Sequence, residues 1–127
     1  PPASPPRVAS GDQDLPSTPP KPETPRDAAL GFYRALARGD GIGAEWYVVR
    51  EKRGSGPFVA ARIERFYGTL PEPLTVLSAE EIGPSTVSVR YRFTAKGGAV
   101  CDGRSTVTVR ETPEGYRIAR IIAPSGC

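Results

Sequence analysis

Histidine and methionine are absent from the chain, cysteine occurs twice and tryptophan once. Without histidine, the chain has no imidazole to serve as a general base near neutral pH or as the commonest metal ligand. Any catalysis would fall to carboxylates, tyrosine, lysine or the cysteines. Two isolated cysteines without Cys-x-x-Cys spacing are too few for an ordinary structural zinc site, and no metal is expected. Long apolar runs are also lacking. No stretch approaches the roughly 18 to 20 apolar residues of a membrane span, so none is expected. Charge of one sign is not concentrated either: 17 basic against 14 acidic residues leave a net charge of +3. That is short of the basic surface that usually binds nucleic acid, and no nucleic-acid partner is expected.

Proline is plentiful, at 15 residues in 127, and it crowds the beginning of the chain. From Pro1 to Pro22 the side chains are prolines, serines and charges, with Val8 and Leu15 almost the only sizeable apolar ones. Such a segment cannot offset its ordering entropy by burial. A disordered proline-rich leader is therefore expected over residues 1–23, acting as a spacer before a single domain over residues 24–127. Its Pro-x-x-Pro spacings, such as Pro16 to Pro19, arise readily in any proline-rich tail. A start at Pro1 fits a mature form after signal-peptide removal and equally a shortened chain.

The domain opens at Thr24-Pro25-Arg26-Asp27. Thr24 can cap a helix, Pro25 has the φ angle wanted at its first position, and Asp27 suits its positive end. Ala29, Tyr33, Leu36 and Ala37 recur at helical spacing up to Gly39. A short second helix is expected within Ala44 to Arg50, before the charged run Arg50-Glu51-Lys52-Arg53. A third is expected from Pro57, capped by Ser55 or Gly56, with Val59, Ile63, Phe66 and Tyr67 on one face. Beyond Pro73 the period changes to two. Leu74 to Ile82, Thr86 to Ala95, Val100 to Thr112 and Tyr116 to Ala123 read as strands, separated by turns too short for parallel crossovers. The fold class is thus α+β, with N-terminal helices covering one face of a four-stranded antiparallel meander.

This element order, the aromatic helix around Phe32-Tyr33 and the ending Arg117-Ile118-Ala119-Arg120-Ile121-Ile122 resemble the nuclear transport factor 2-like superfamily over about Thr24 to Ala123. A cystatin-like helix-plus-sheet relative is the competing resemblance. The superfamily implies a cone in which a curved sheet wraps around the helices and leaves a pocket on its concave face. It also implies a short strand between the second and third helices, for which Arg50 to Pro57 is a poor candidate.

A pocket of that kind would be small and apolar, lined by Trp46, Tyr47, Tyr67 and Tyr91; ordinary core is the competing reading of the same spacing. Arg117 and Arg120 have opposite strand parity, so unless a bulge intervenes one of them faces the helices. Placing Tyr116, Ile118 and Ile122 inward selects Arg120, either as an anion or carbonyl clamp or as the partner of a helix carboxylate such as Glu64 or Glu51. The opposite placement selects Arg117. An isomerase-like site would need an inward acid beside a tyrosine. Asp102 and Glu64 are the acids to consider, and neither is assigned a catalytic role. Arg90, Arg92 and Arg110 form either a solubilising stripe or a patch for phosphate or an acidic protein.

The resulting expectation is a non-enzymatic binding or assembly domain of the bacterial cell envelope. Its partner would be a small hydrophobic ligand or an envelope protein, and it would carry no cofactor. The alternative is a cofactor-free isomerase or cyclase acting on a small hydrophobic substrate. A third reading is a scaffold that forms a homodimer through the sheet. Cys101, at the start of the third strand, and Cys127, just past the end of the fourth, would be hairpin neighbours. A Cys101–Cys127 disulfide is therefore expected, stabilising so small a domain by about 3 to 4 kcal/mol and placing it in the periplasm or outside the cell. Unfolding without reductant should then expose no reactive thiol in a maleimide count, and full reactivity of both cysteines would refute the pairing.

Overall fold

The structure, a computed structural model, describes residues 20–123. Most of the expected leader, and Cys127, lie outside the described residues. Helix α1 runs Pro25–Ala37, with the Thr24 hydroxyl accepting the Asp27 N–H and Pro25 opening the first turn. Its start agrees with the sequence. Pro22, just upstream, is buried, and its carbonyl accepts the Tyr116 N–H at 2.9 Å.

Helix α2, Gly41–Trp46, begins earlier than expected because the Asp40 carboxylate caps it through the Gly43 N–H at 2.9 Å. The chain then straightens at Val48, which forms a parallel bridge to Ile118, before a 3-10 turn over Arg50–Lys52. Helix α3, Ala60–Tyr67, starts later than Pro57. Ser55 does not cap it, since its hydroxyl donates to the Lys52 carbonyl. Glu45 of α2 instead accepts the Ala60 N–H at 2.8 Å. A cap supplied by another helix leaves no signal in the adjacent sequence.

Strands β1 (Glu72–Gly83), β2 (Thr86–Thr94), β3 (Val100–Thr112) and β4 (Gly115–Ile122) follow as an antiparallel meander in the order β1-β2-β3-β4. Register shifts interrupt the β1–β2 and β3–β4 ladders, and such bulges bend a sheet. Helix α1 lies on one face. Ala28, Phe32, Ala35 and Leu36 pack there in one cluster with Val87, Val89, Val107, Val109 and Ile118 of the sheet. Burying each large aliphatic side chain contributes about 1.5 to 3 kcal/mol. The helix start is tied to the first strand as well, by Arg26 Nε donating to the Ala79 carbonyl at 2.9 Å.

Alternation along β3 turns Cys101, Gly103, Ser105, Val107 and Val109 toward the helices. Gly103 stands opposite Tyr91, and a Cβ added to it would lie 2.2 Å from the Tyr91 ring. The missing side chain is the space that the ring occupies. Gly103→Ala should push Tyr91 out of place and lower stability by about 1 to 3 kcal/mol, read as a fall in the urea midpoint. An unchanged midpoint would show that the ring moves freely.

Candidate functional site

Besides the Tyr33 phenol, two polar side chains are buried among the described residues, Ser105 and Arg117, and they mark two different places. The first is on the concave face. Tyr33 of α1 and Ser105 of β3 share a hydrogen bond of 2.6 Å. The Tyr91 ring stacks on Tyr33 with centroids 5.3 Å apart, and Phe93 stacks beyond it at 6.4 Å. Tyr67 lies edge-on to Phe66, which in turn meets Phe93 edge-on. Burial pushes the Tyr33 phenol well above the ordinary tyrosine value; Ser105 pulls it partly back, and the neighbouring Tyr91 and Tyr67 raise it further. Tyr67 and Tyr91 are raised as well, chiefly by burial.

No carboxylate among the described residues is buried. Glu64 is exposed on α3, and Asp102 is exposed and paired with Arg92 at 2.7 Å. Neither lies on the concave face with Tyr33.

The second place is the edge of β4. Arg120 pairs with Thr108 and Ile118 with Val109, leaving Ala119 as an extra residue. This bulge resets the alternation, so Arg117, opposite the exposed Arg110, and Arg120 both belong to the outer face. The inward Arg120 expected from parity is thereby corrected: Arg120 is exposed, and Arg117 is the buried one, at 4% exposure. Arg117 is buried by Trp46, whose ring lies 3.9 Å from its guanidinium carbon. It donates to the carbonyls of Trp46 and Glu114, each at 2.7 Å.

Arg53 converges on the same point, donating to the Trp46 carbonyl at 3.2 Å and to that of Val48 at 2.9 Å. Arg50 and Arg110 stand beside them, paired with Glu114 and Glu51. These arginines hold the Glu51 and Glu114 carboxyls below the usual range. Val49, Glu111, Thr112 and Pro113 complete the lining of a surface groove of about 530 Å³.

The aromatic residues expected to share a pocket divide between the two places. Tyr67 and Tyr91 belong to the concave-face cluster. Trp46 and Tyr47 meet edge-on, 5.0 Å apart, at the β4 edge, where a Cβ on Gly31 would strike the Tyr47 ring. Arg120 joins neither group. Tyr33, Ser105 and Arg53 were not expected at a site. Ser105 was within reach, since the parity of Val107 and Val109 carried back along the strand turns it inward. Nothing in the sequence near Arg53 points to Trp46.

No protein-family model matches the chain, and no curated protein does. Solved structures do. A SEC-C motif containing protein of Rhodopseudomonas palustris is 20% identical with a TM-score of 0.58, over 80% of each chain. A protein of Kribbella flavida is 25% identical with a TM-score of 0.57, over 78% of this chain and 85% of its own. An NTF2-like protein of unknown function from Cytophaga hutchinsonii is 15% identical with a TM-score of 0.55, over 80% and 91%. The chain has the nuclear transport factor 2-like fold, as its element order implied. That fold hosts unrelated functions and carries no activity across by itself.

The raised Tyr33 pKa has a definite sign. The unfolded chain loses the phenolic proton near pH 10 while the folded chain keeps it, so this contribution to stability is full below about pH 10 and declines above it. In Tyr33→Phe the loss of the Ser105 bond should cost about 1 to 3 kcal/mol at neutral pH, and stability should fall less steeply between pH 10 and 11 than in the parent. Urea unfolding at a series of pH values measures both, and parallel pH curves would contradict the assignment.

Proposed function

We propose that this is a non-enzymatic binding or assembly domain of the bacterial cell envelope. The observation that carries the reading is how each face is used. On the concave face, Tyr33 and Ser105 satisfy each other and the Tyr91 ring stacks on the pair. No buried carboxylate stands ready among the described residues to take a proton. The groove at the β4 edge is open by contrast, and it is lined by side chains suited to recognition. Binding there asks for no rearrangement of the core.

The compartment belongs to the same proposal. The β3–β4 ladder is antiparallel and pairs Thr106 with Ile122, so the described end of β4 runs toward the start of β3, where Cys101 stands. This supports a Cys101–Cys127 disulfide and, with it, a periplasmic or secreted protein. An envelope protein or a small ligand is the partner proposed. No helix among the described residues is long and apolar enough to cross a membrane.

One observation favours the isomerase or cyclase alternative: a tyrosine donor with a raised pKa lies on the concave face. Proton exchange tests the two readings against each other. The protein, mixed with a β,γ-unsaturated cyclic ketone in deuterated buffer, should leave the α-proton signals decaying at the buffer rate by NMR. Acceleration by the protein would remove the binding-domain reading.

A further inference from the structure

We infer that the groove at the β3–β4 hairpin is a carboxylate-binding site, in which Arg53 and Arg117 are the fixed positive floor and Arg50 and Arg110 the movable arms. This rests on the binding reading above and names its ligand class. The groove is lined by four arginines against three carboxylates, those of Glu51, Glu111 and Glu114. Arg117 is the singular member. It is buried, its Nε has no hydrogen-bond partner, and among the described residues no carboxylate lies within ion-pair distance of it.

Burying a cation without a counter-ion in direct contact is costly, and bringing a second cation beside it adds repulsion. Here both guanidinium groups donate to a single backbone oxygen, that of Trp46. Backbone carbonyls and the Trp46 ring hold them in place without neutralising their charge. Glu114, held by Arg50, acts on both cations from beyond ion-pair distance and compensates them only in part, so an anion seated directly on them would complete what the chain leaves unfinished.

The arms explain how such an anion would be seated. Arg50 and Arg110 are exposed and tied to Glu114 and Glu51, which are exposed as well. Exposed pairs of this kind contribute little, so a ligand carboxylate can exchange for Glu51 or Glu114 at small cost. The planar guanidinium fork suits a carboxylate in two-point contact. The volume is that of a site for a small molecule, and Val49 and Pro113 offer apolar wall to the rest of the ligand.

Trp46 is the chain's single tryptophan and stacks on Arg117, so its emission reports directly on the site. The probes are succinate and inorganic phosphate, titrated at fixed ionic strength balanced with chloride and followed by Trp46 fluorescence and amide NMR shifts. Succinate should give a saturable response, with shifts confined to residues 46–53 and 110–117. Arg110→Gln, at an exposed position that spares the fold, should weaken it about tenfold, the loss of one charged hydrogen bond. Glu51→Gln should tighten it, because Arg110 is released from its internal partner. If Arg53 and Arg117 did no more than hold the Trp46 carbonyl, the parent would give no saturable response to succinate. The proposal is overturned by no saturable response to succinate, by shifts centred elsewhere, by unaltered binding in Arg110→Gln, or by phosphate binding more tightly than succinate. Ketone exchange probes the opposite face of the sheet, so either experiment can fail without the other.

Discussion

Two backbone hydrogen bonds join the helical layer to the edge of the sheet: the Ile118 N–H donates to the Tyr47 carbonyl at 2.7 Å, and the Val49 N–H donates to the Ile118 carbonyl at 2.9 Å. Much of the structure beyond the meander follows from this one-residue parallel bridge at Val48. It covers the edge of β4, which would otherwise present unpaired backbone groups. It turns Val48 and Val49 into the core and leaves Trp46 and Tyr47 on either side of the seam. Tyr47 settles against Gly31 of α1, and Trp46 settles over Arg117 of β4. The 3-10 turn that follows carries Glu51 to Arg110. The short strand implied by the family resemblance is present in this reduced form, two residues before the segment where it was sought.

Polar groups are distributed according to how each can be satisfied. On the concave side the buried polar side chain is a neutral hydroxyl, and one tyrosine is enough to saturate it. On the outer side the residues are charged, and strand pairing sets arginines opposite one another, Arg90 against Arg104 and Arg110 against Arg117. Like charges directly across a ladder repel. Arg110 relieves this by reaching Glu51, and Arg117 by folding under Trp46 onto carbonyl oxygens. The arginine groove is thus a consequence of register, and the bulge at Ala119 places Arg120 on the same outer face, farther along the strand.

Much of the fold was legible because its signals are local. Thr24-Pro25 marked the start of α1 through capping and a fixed φ angle, and the alternation from Val87 to Phe93 marked a half-buried strand. Val100–Thr112 was bounded as the structure bounds it, by a glycine turn before and a proline turn after. The site was less legible because its determinants are not neighbours in sequence. Glu45 caps a helix 15 residues away, and Arg53 reaches back to Trp46. The inward placement of Arg120 did not hold because a bulge, the exception to the parity rule, inserts one residue between Arg117 and Arg120 and moves every later side chain to the other face.

The sequence by itself determined the α+β class, the order of helices and strands, and the antiparallel connection of the meander. Periodicity, turn chemistry and loop length act over a few residues and are written in the chain. Tertiary structure alone decided which arginine is buried, which tyrosine meets Ser105, and which face carries an open groove. Those outcomes depend on sheet register, on one bulge and on a bridge between segments some 70 residues apart, and no local preference encodes contacts at that separation.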